Sequence, residues 1–139
     1  MNQSSRPKVL FICKSNSARS QMAEALLRML FGDRYESYSA GLTATWVDPY
    51  AIKVMEQLGA DMSSHRSKSF EEFRDMKFDY VVTVCDQAKE SCPYFPGRTI
   101  LHHNFPKPST QGSEAEILVS FALVRDEIRS WIEEKFCNQ

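Results

Sequence analysis

The sequence predicts an α/β fold, a three-layer sandwich in which helices flank a four-stranded parallel sheet. Short runs of apolar, aromatic and β-branched residues alternate along the chain with longer segments of helical periodicity. Capping residues, glycines and prolines separate these segments into individual elements. Strands that alternate with helices pair in parallel through right-handed crossovers, so helices should cover both faces of the sheet.

Four segments have the composition of strands. Residues 9–12 form a continuous apolar run of the kind that fills a buried parallel strand. Residues 35–40 are the second predicted strand, with Gly41 turning the chain out of it. Residues 78–84 are β-branched and aromatic and predict the third, and residues 99–103 predict the fourth.

Capping signals mark the helices. The first helix is predicted to end near residue 31, before a glycine. Asp48 and Pro49 open a second, which Gly59 closes, because aspartate caps a helix and proline fits its first turn. Two capping boxes predict a short helix to about residue 74 and a long amphipathic one. They are Ser69 with Glu72 and Ser113 with Glu116.

We expect one domain over residues 1–139, with residues 1–7 flexible. A chain of 139 residues can bury a single core, and its 42% hydrophobic and 25% charged residues are ordinary for a soluble globular protein. The net charge of −1 argues against a broad nucleic-acid surface or attraction to an anionic membrane. Because the sequence has no signal core or spanning apolar stretch, we expect a cytoplasmic protein, and a monomer.

Cys13 stands where the first strand passes into the first helix. Unpaired amides at a helix N-terminus attract anions, so we expect a reactive thiolate and an oxyanion site here. Arg19, six residues on, can offer a planar set of donors to a tetrahedral anion. A structural cysteine beside a surface arginine is the alternative, but such cysteines seldom lie at a helix N-terminus. The predicted oxyanion-binding residues are Lys14, Ser15, Asn16, Ser17, Ala18, Arg19 and Ser20.

The four cysteines do not have metal-site spacing. A zinc site needs closely spaced pairs at both ends, and only Cys85 and Cys92 are near each other. Cys85 follows the third predicted strand, so it should emerge at the same sheet edge as Cys13. The interval between Cys85 and Cys92 is polar, so we expect this interval to be exposed, which favours a redox pair over two buried core cysteines. We therefore predict no metal, and we regard Cys137 as a bystander.

Two stretches resemble a known family. The segment CKSNSARSQMAEALL, with Cys13, Asn16, Arg19 and Ser20, resembles the C-x5-R-S phosphate loop of the low-molecular-weight tyrosine phosphatase superfamily, and its arsenate reductase branch in particular. The segment TVCDQAKESCPYFPG resembles the redox-cysteine region of thioredoxin-linked arsenate reductases. The resemblance runs from residue 8 to about residue 136 and implies a low-molecular-weight phosphotyrosine phosphatase-like fold.

The resemblance also implies a mechanism. Cys13 attacks arsenate, Arg19 and loop amides stabilise the oxyanion, and Cys85 then attacks the Cys13 sulfur as arsenite leaves. Cys92 resolves that disulfide, and thioredoxin reduces the resulting Cys85–Cys92 bridge. The partners would be arsenate, with phosphate and sulfate as competitors, and thioredoxin. No bound cofactor is expected, and the role would be arsenic detoxification.

A helix over residues 85–92 would conflict with a bridge between Cys85 and Cys92. If this segment were helical, seven steps would separate the two Cα atoms by about 10 Å, whereas a disulfide requires about 4.4–6.8 Å. We therefore predict that this segment unwinds or loops when it is oxidised.

The sequence departs from the family pattern at two positions. Lys107 stands where relatives carry an aspartate that acts as general acid, and no catalytic role is assigned to it. Losing the acid should harm a phosphatase more than an arsenate reductase, because arsenate exchanges its oxygens more readily. Asn16, Glu24 and Ser39 match a potassium site of some relatives, but Lys68 occupies its remaining acidic position. We predict no alkali-metal requirement.

Two other functions remain open at this stage. One is a low-molecular-weight protein tyrosine phosphatase, and the other is a non-enzymatic module that senses oxyanions or redox state. Turnover would exclude the sensor, and dependence on Cys85 and Cys92 would distinguish reductase from phosphatase. His102 and His103 project to opposite faces of a strand, so they are not expected to share a metal.

Overall fold

The computed structural model describes residues 6–91 and 97–137, and it confirms the predicted α/β fold. A 3₁₀ turn, Phe70–Phe73, precedes the third strand. The strands are β1 (Lys8–Cys13), β2 (Glu36–Gly41), β3 (Phe78–Thr83) and β4 (Gly97–His102). The helices are α1 (Arg19–Phe31), α2 (Pro49–Glu56), α3 (Asp86–Ser91) and α4 (Glu114–Phe136).

The sheet has the strand order β2-β1-β3-β4, and every pair is parallel. β1 is central, and its apolar residues 9–12 are fully buried. Ile12 pairs with Ala40 on one side and Thr83 on the other, so the carboxyl ends of three strands lie side by side. Ligands of open parallel sheets bind at this edge.

The sheet carries aromatic side chains on both faces. Phe136 of α4 packs on Tyr80, with 5.3 Å between the ring centroids. Tyr38, which points to the other face, packs on Phe73 of the 3₁₀ turn at 5.6 Å. Helices α1 and α2 both pack against α4. Within the described residues, no helix is both long and apolar enough to span a bilayer.

Apart from small shifts at the ends of strands and helices, the elements differ from the predictions in three places. The helix expected after Ser69 is only a 3₁₀ turn, because the carboxylate of Glu72 accepts from Arg66 instead of completing the capping box. Gly41 belongs to β2 rather than turning out of it. Helix α3 was not predicted, since its six residues are too few for a periodic pattern. The capping box of Ser113 and Glu116 is confirmed.

The chain is tied to the sheet from Pro7, whose carbonyl accepts from the Glu36 amide. Residues 1–5 of the segment expected to be flexible lie outside the described residues.

Candidate functional site

Cys13 and Cys85 lie at neighbouring strand ends on the same edge of the sheet. Cys13 is the last residue of β1, and Cys85 lies two residues beyond the end of β3. The Val84 amide donates to the Ile12 carbonyl at 2.9 Å, which extends the pairing of β1 and β3 up to these cysteines. Both are free and buried, at 3% and 2% exposure. Two thiols therefore lie at the sheet edge where the topology predicts a ligand.

The loop between β1 and α1 curls around the Cys13 sulfur. Asn16 has a left-handed backbone with φ 52°, and its amide donates to Cys13 Sγ at 3.3 Å. Gly41 of the neighbouring strand makes room for this curl. A Cβ at Gly41 would lie 2.7 Å from the Asn16 nitrogen and 2.8 Å from the Ser15 carbonyl carbon, so only glycine fits there.

A hydroxyl group also faces the sulfur. Ser20 Oγ lies 2.9 Å from Cys13 Sγ. The Asn16 side-chain amide donates to the same Oγ at 2.8 Å, which leaves the Ser20 hydrogen free to point at the sulfur. The Asn16 amide and the Ser20 hydroxyl thus both lie within hydrogen-bond distance of the sulfur.

Asn16 is held in position from behind by buried polar groups. Its Oδ1 accepts from the Lys68 amide at 2.8 Å and from Gln21 Nε2 at 2.9 Å. Its Nδ2 donates to Ser39 Oγ at 3.0 Å, and Ser39 in turn donates to Glu24 Oε1 at 2.6 Å. A continuous chain of hydrogen bonds thus links the Glu24 carboxylate to the groups that touch the sulfur.

The Lys68 ammonium ends this chain. Its Nζ lies 4.0 Å from Glu24 Oε1, and both side chains are about nine-tenths buried, at 10% and 11% exposure. Nζ also donates to the Arg66 carbonyl at 2.8 Å. Burial lowers the pKa of Lys68 from its ordinary value, and the neighbouring Glu24 acts in the opposite direction. A cation therefore occupies the position beside Glu24 within the fold itself.

His65 supports the same chain as a neutral ring. Arg28 donates to its Nε2 at 2.9 Å, so Nδ1 carries the hydrogen and donates to Gln21 Oε1 at 2.8 Å. Burial lowers the pKa of His65, although Glu24 acts to raise it. The neutral tautomer is thus favoured by both the hydrogen bonds and the burial.

A small cavity of about 90 Å³ opens above the sulfur. Its size suits a small ion, since pockets for drug-sized ligands have about 300–1,000 Å³. Arg19 Nη1 donates to the Phe105 carbonyl at 3.0 Å and ties α1 to the loop after β4. The Asp48 amide donates to the Ser17 carbonyl at 3.0 Å and ties the start of α2 to the Cys13 loop. The lining residues are Cys13, Ser15, Ser17, Ala18, Arg19, Asp48, Lys107, Pro108, Thr110 and Phe121.

The predicted loop residues occupy three kinds of position. Ser15, Ser17, Ala18 and Arg19 line the cavity, whereas Asn16 and Ser20 are fully buried behind it. The Lys14 side chain is exposed, and its carbonyl accepts from the Leu42 amide at 2.9 Å.

Several residues of the site were not predicted from the sequence. Asp48 was recognised only as a helix cap, and nothing local to Gln21, His65, Thr110 or Phe121 marks them. Their side chains reach the site only through tertiary packing.

The second redox element begins at Cys85. Helix α3 starts at the next residue, Asp86, whose amide donates to Asn104 Oδ1 at 3.1 Å. His102 Nε2 lies 3.0 Å from Asp86 Oδ1, and its Nδ1 lies 2.7 Å from Thr83 Oγ1. These contacts tie the first turn of α3 to β3 and to the end of β4. Cys92 lies outside the described residues.

The other candidates do not converge on a metal. His102 contacts Asp86, whereas the neighbouring His103 packs on Phe105 at 4.5 Å and on Trp131 at 6.0 Å. In the described part of the chain, no group of three or more His, Cys, Asp or Glu could hold a metal ion. The Cys137 carbonyl accepts from Arg34, which precedes β2 at the opposite edge of the sheet from Cys13.

Comparisons with known proteins agree with this geometry. The model of the low molecular weight phosphotyrosine protein phosphatase family matches residues 8–136. An arsenate reductase of Halalkalibacterium halodurans is 38% identical over 122 residues, 86% of this chain and 88% of that protein. An arsenate reductase of Bacillus subtilis is 38% identical over 128 residues, 91% and 92% of the two chains.

Solved structures give the same result. An arsenate reductase in an oxidised state has a TM-score of 0.81 and 29% identity, and the match covers 95% of this chain and 98% of that one. A thioredoxin-dependent arsenate reductase of Corynebacterium glutamicum has a TM-score of 0.70 and 29% identity, covering 99% of this chain and 66% of that one.

Proposed function

We propose that this chain is an arsenate reductase. The chain belongs to the low molecular weight phosphotyrosine protein phosphatase family. The observation that carries this proposal is Cys85. A phosphatase needs only the thiol at the base of the oxyanion cavity, whereas this chain has a second buried thiol at the next strand end. The names of the relatives that are 36–38% identical support the same activity.

The first step uses the cavity. The Cys13 thiolate attacks the arsenic of a bound arsenate, an arsenic–sulfur bond forms, and one oxygen leaves as water with protons from the ion and from solvent. Arg19 and the loop amides stabilise the charge on the remaining oxygens. The buried chain behind Asn16 holds the loop in the conformation that presents these donors.

The second step moves two electrons. The Cys85 thiolate attacks the Cys13 sulfur, and a disulfide forms between the two cysteines. The sulfur–arsenic bond breaks with its electron pair on arsenic, which leaves as arsenite in the +3 state. Cys85 is suited to this step because it precedes α3 at the strand end next to Cys13.

The third step regenerates the nucleophile. The Cys92 thiolate attacks the Cys85 sulfur, a Cys85–Cys92 disulfide forms, and the Cys13 thiolate is released. Thioredoxin then reduces this disulfide, so the electrons need no bound cofactor. Such a relay suits a monomer in the reducing cytoplasm, where dithiol donors are abundant.

The test is an arsenate-dependent NADPH assay with thioredoxin and thioredoxin reductase. We expect Cys13→Ser, Cys85→Ser and Cys92→Ser each to lose at least about a hundredfold in steady-state turnover, because each removes one exchange step. Cys137→Ser is the matched control and should keep full activity.

Single-turnover measurements separate the steps. Cys92→Ser should release one arsenite per protein and stop as a Cys13–Cys85 disulfide, whereas Cys85→Ser should release none. Full steady-state activity in Cys85→Ser and Cys92→Ser would exclude the proposed disulfide relay. Hydrolysis of p-nitrophenyl phosphate that depends on Cys13 alone, without arsenate turnover, would favour the phosphatase instead.

A further inference from the structure

Lys107 lies at the cavity although nothing in the proposed mechanism uses it. Within the described residues, three side chains besides Cys13 line the cavity and carry charge, and they are Arg19, Asp48 and Lys107. Lys107 is exposed where it lines the cavity, whereas Cys13 is buried.

The backbone that carries Lys107 is anchored on both sides. Phe105 is fully buried, its amide donates to the Val84 carbonyl at 3.1 Å, and its carbonyl accepts from Arg19 at 3.0 Å. Pro108 is buried as well, and prolines on either side of Lys107 restrict the backbone. The lysine is therefore held at the cavity entrance by the fold.

The charge balance of the cavity depends on this lysine. Asp48 Oδ1 accepts from the Tyr50 amide at 2.8 Å as the cap of α2, which keeps a carboxylate at the cavity wall. Arg19 alone would only offset that charge. With Lys107 the lining side chains other than Cys13 carry a net charge of +1, which offsets the negative charge of the attacking Cys13 thiolate when a second anion enters.

We propose that Lys107 is a specificity-determining residue whose ammonium binds the solvent-facing oxygens of the oxyanion. This inference rests on the proposed arsenate reduction and extends it to the substrate class, small inorganic dianions. The ammonium attracts the anion equally before and during the reaction, so it lowers KM and leaves kcat unchanged. It is a point charge with three donors rather than a proton donor to the leaving oxygen.

The experiment compares wild type with Lys107→Gln and Lys107→Arg. In arsenate reduction we expect Lys107→Gln to raise KM about five- to tenfold with kcat within about twofold, as for one partly screened charge. Lys107→Arg should stay close to wild type. Lys77→Gln is the matched control, because it removes the same charge just before β3, at the opposite edge of the sheet.

A second readout needs no turnover. Inorganic phosphate should protect Cys13 from alkylation by iodoacetamide, and Lys107→Gln should raise the phosphate concentration required by a similar factor. An unchanged KM and unchanged protection in Lys107→Gln would overturn the inference, as would a fall in kcat at constant KM. If wild type fails to reduce arsenate but its phosphate protection depends on Lys107, the reductase proposal fails and the anion site stands.

Discussion

At the residue scale, Lys68 decides how the oxyanion loop is supported. Its ammonium lies 4.0 Å from Glu24, and the Glu24–Ser39–Asn16 chain leads from there to the groups around the sulfur. Without a positive charge the buried carboxylate would be costly, since a buried charge requires a partner. Arg28 Nη2 lies 2.5 Å from Glu24 Oε2, and the Lys68 ammonium adds a second positive charge beside Oε1.

This arrangement predicts catalysis that is independent of potassium. Adding potassium chloride at constant ionic strength should leave kcat/KM for arsenate unchanged in wild type. Lys68→Asp removes the ammonium and adds an oxygen ligand, so we expect its activity to rise severalfold with potassium. Steady-state kinetics against potassium concentration check both statements. Strong activation of wild type by potassium would show that Lys68 does not act as the cation.

The substitution Lys68→Met tests the Lys68–Glu24 pair by its effect on the stability of the fold. We expect it to lower the free energy of unfolding by about 2 kcal/mol, because the Glu24 carboxylate keeps its burial but loses a partner. Urea titration measures this change, and Lys77→Met is the exposed control.

The residues that sequence reasoning identifies are those with a local signature. Cys13 and Arg19 have a fixed spacing between a strand and a helix, and this strand–loop–helix pattern can be recognised within about 20 residues of sequence. Gln21 and His65 have no such signature. Gln21 binds Asn16 directly, and His65 acts on the loop through Gln21, 44 positions away, a contact that no local pattern encodes.

At the element scale, α3 is the weakest part of the redox site. A helix of six residues is marginal on its own, because few hydrogen bonds offset the cost of nucleation. Its first turn is tied down by contacts of Asp86 with Asn104 and His102. Opening of the helix therefore needs few hydrogen bonds to break beyond that turn.

Opening of α3 is expected on oxidation. Amides of residues 86–91 should be protected from hydrogen exchange in the reduced protein and lose protection after one equivalent of arsenate, because a Cys85–Cys92 bridge does not fit a helix. Exchange measured by mass spectrometry or NMR checks this. Cys92→Ser, which cannot form that bridge, is the control. Equal protection of this segment in reduced and oxidised wild type would contradict the expected opening.

The elements that were predicted correctly are those whose burial or capping gives a recognisable sequence pattern. The buried strand β1 is a run of apolar residues, and the cap of α4 is a complete capping box. It failed for α3, which has a single buried position, Ala88, among its described side chains. It also failed after Ser69, where Arg66 binds the glutamate that would have closed the box.

At the scale of the whole molecule, the parallel sheet gathers distant residues at one edge. The alternation of strands and helices was enough to predict that Cys13 and Cys85 emerge together. It could not predict the outer wall of the cavity, because Asp48, Lys107 and Phe121 come from α2, the loop after β4 and α4. The loops that face one another are determined by helix packing, and that packing cannot be predicted from a single sequence.

The buried His65 connects this site to the stability of the fold. Its side chain is only 3% exposed, and burial holds its pKa below 6.5, the ordinary value. The unfolded chain therefore binds a proton at a higher pH than the folded one. Stability from the neutral ring is full above the unfolded pKa and is lost as the pH falls from about 6.5 toward the lower folded value.

This linkage predicts a loss of stability in mild acid. Between pH 7 and pH 5 the free energy of unfolding from urea titrations should fall in wild type, because a protonated Nε2 can no longer accept a hydrogen bond from Arg28.

His65→Gln keeps a polar side chain that does not titrate, so its free energy of unfolding should fall less steeply over this range. His103→Gln, an exposed histidine, should keep the wild-type slope. Hydrogen bonds from Ser63 lower the pKa of Asp61, so the titration of this neighbouring carboxylate lies below the measured range. Equal slopes in wild type and His65→Gln would mean that the buried imidazole accepts its proton without cost to the fold.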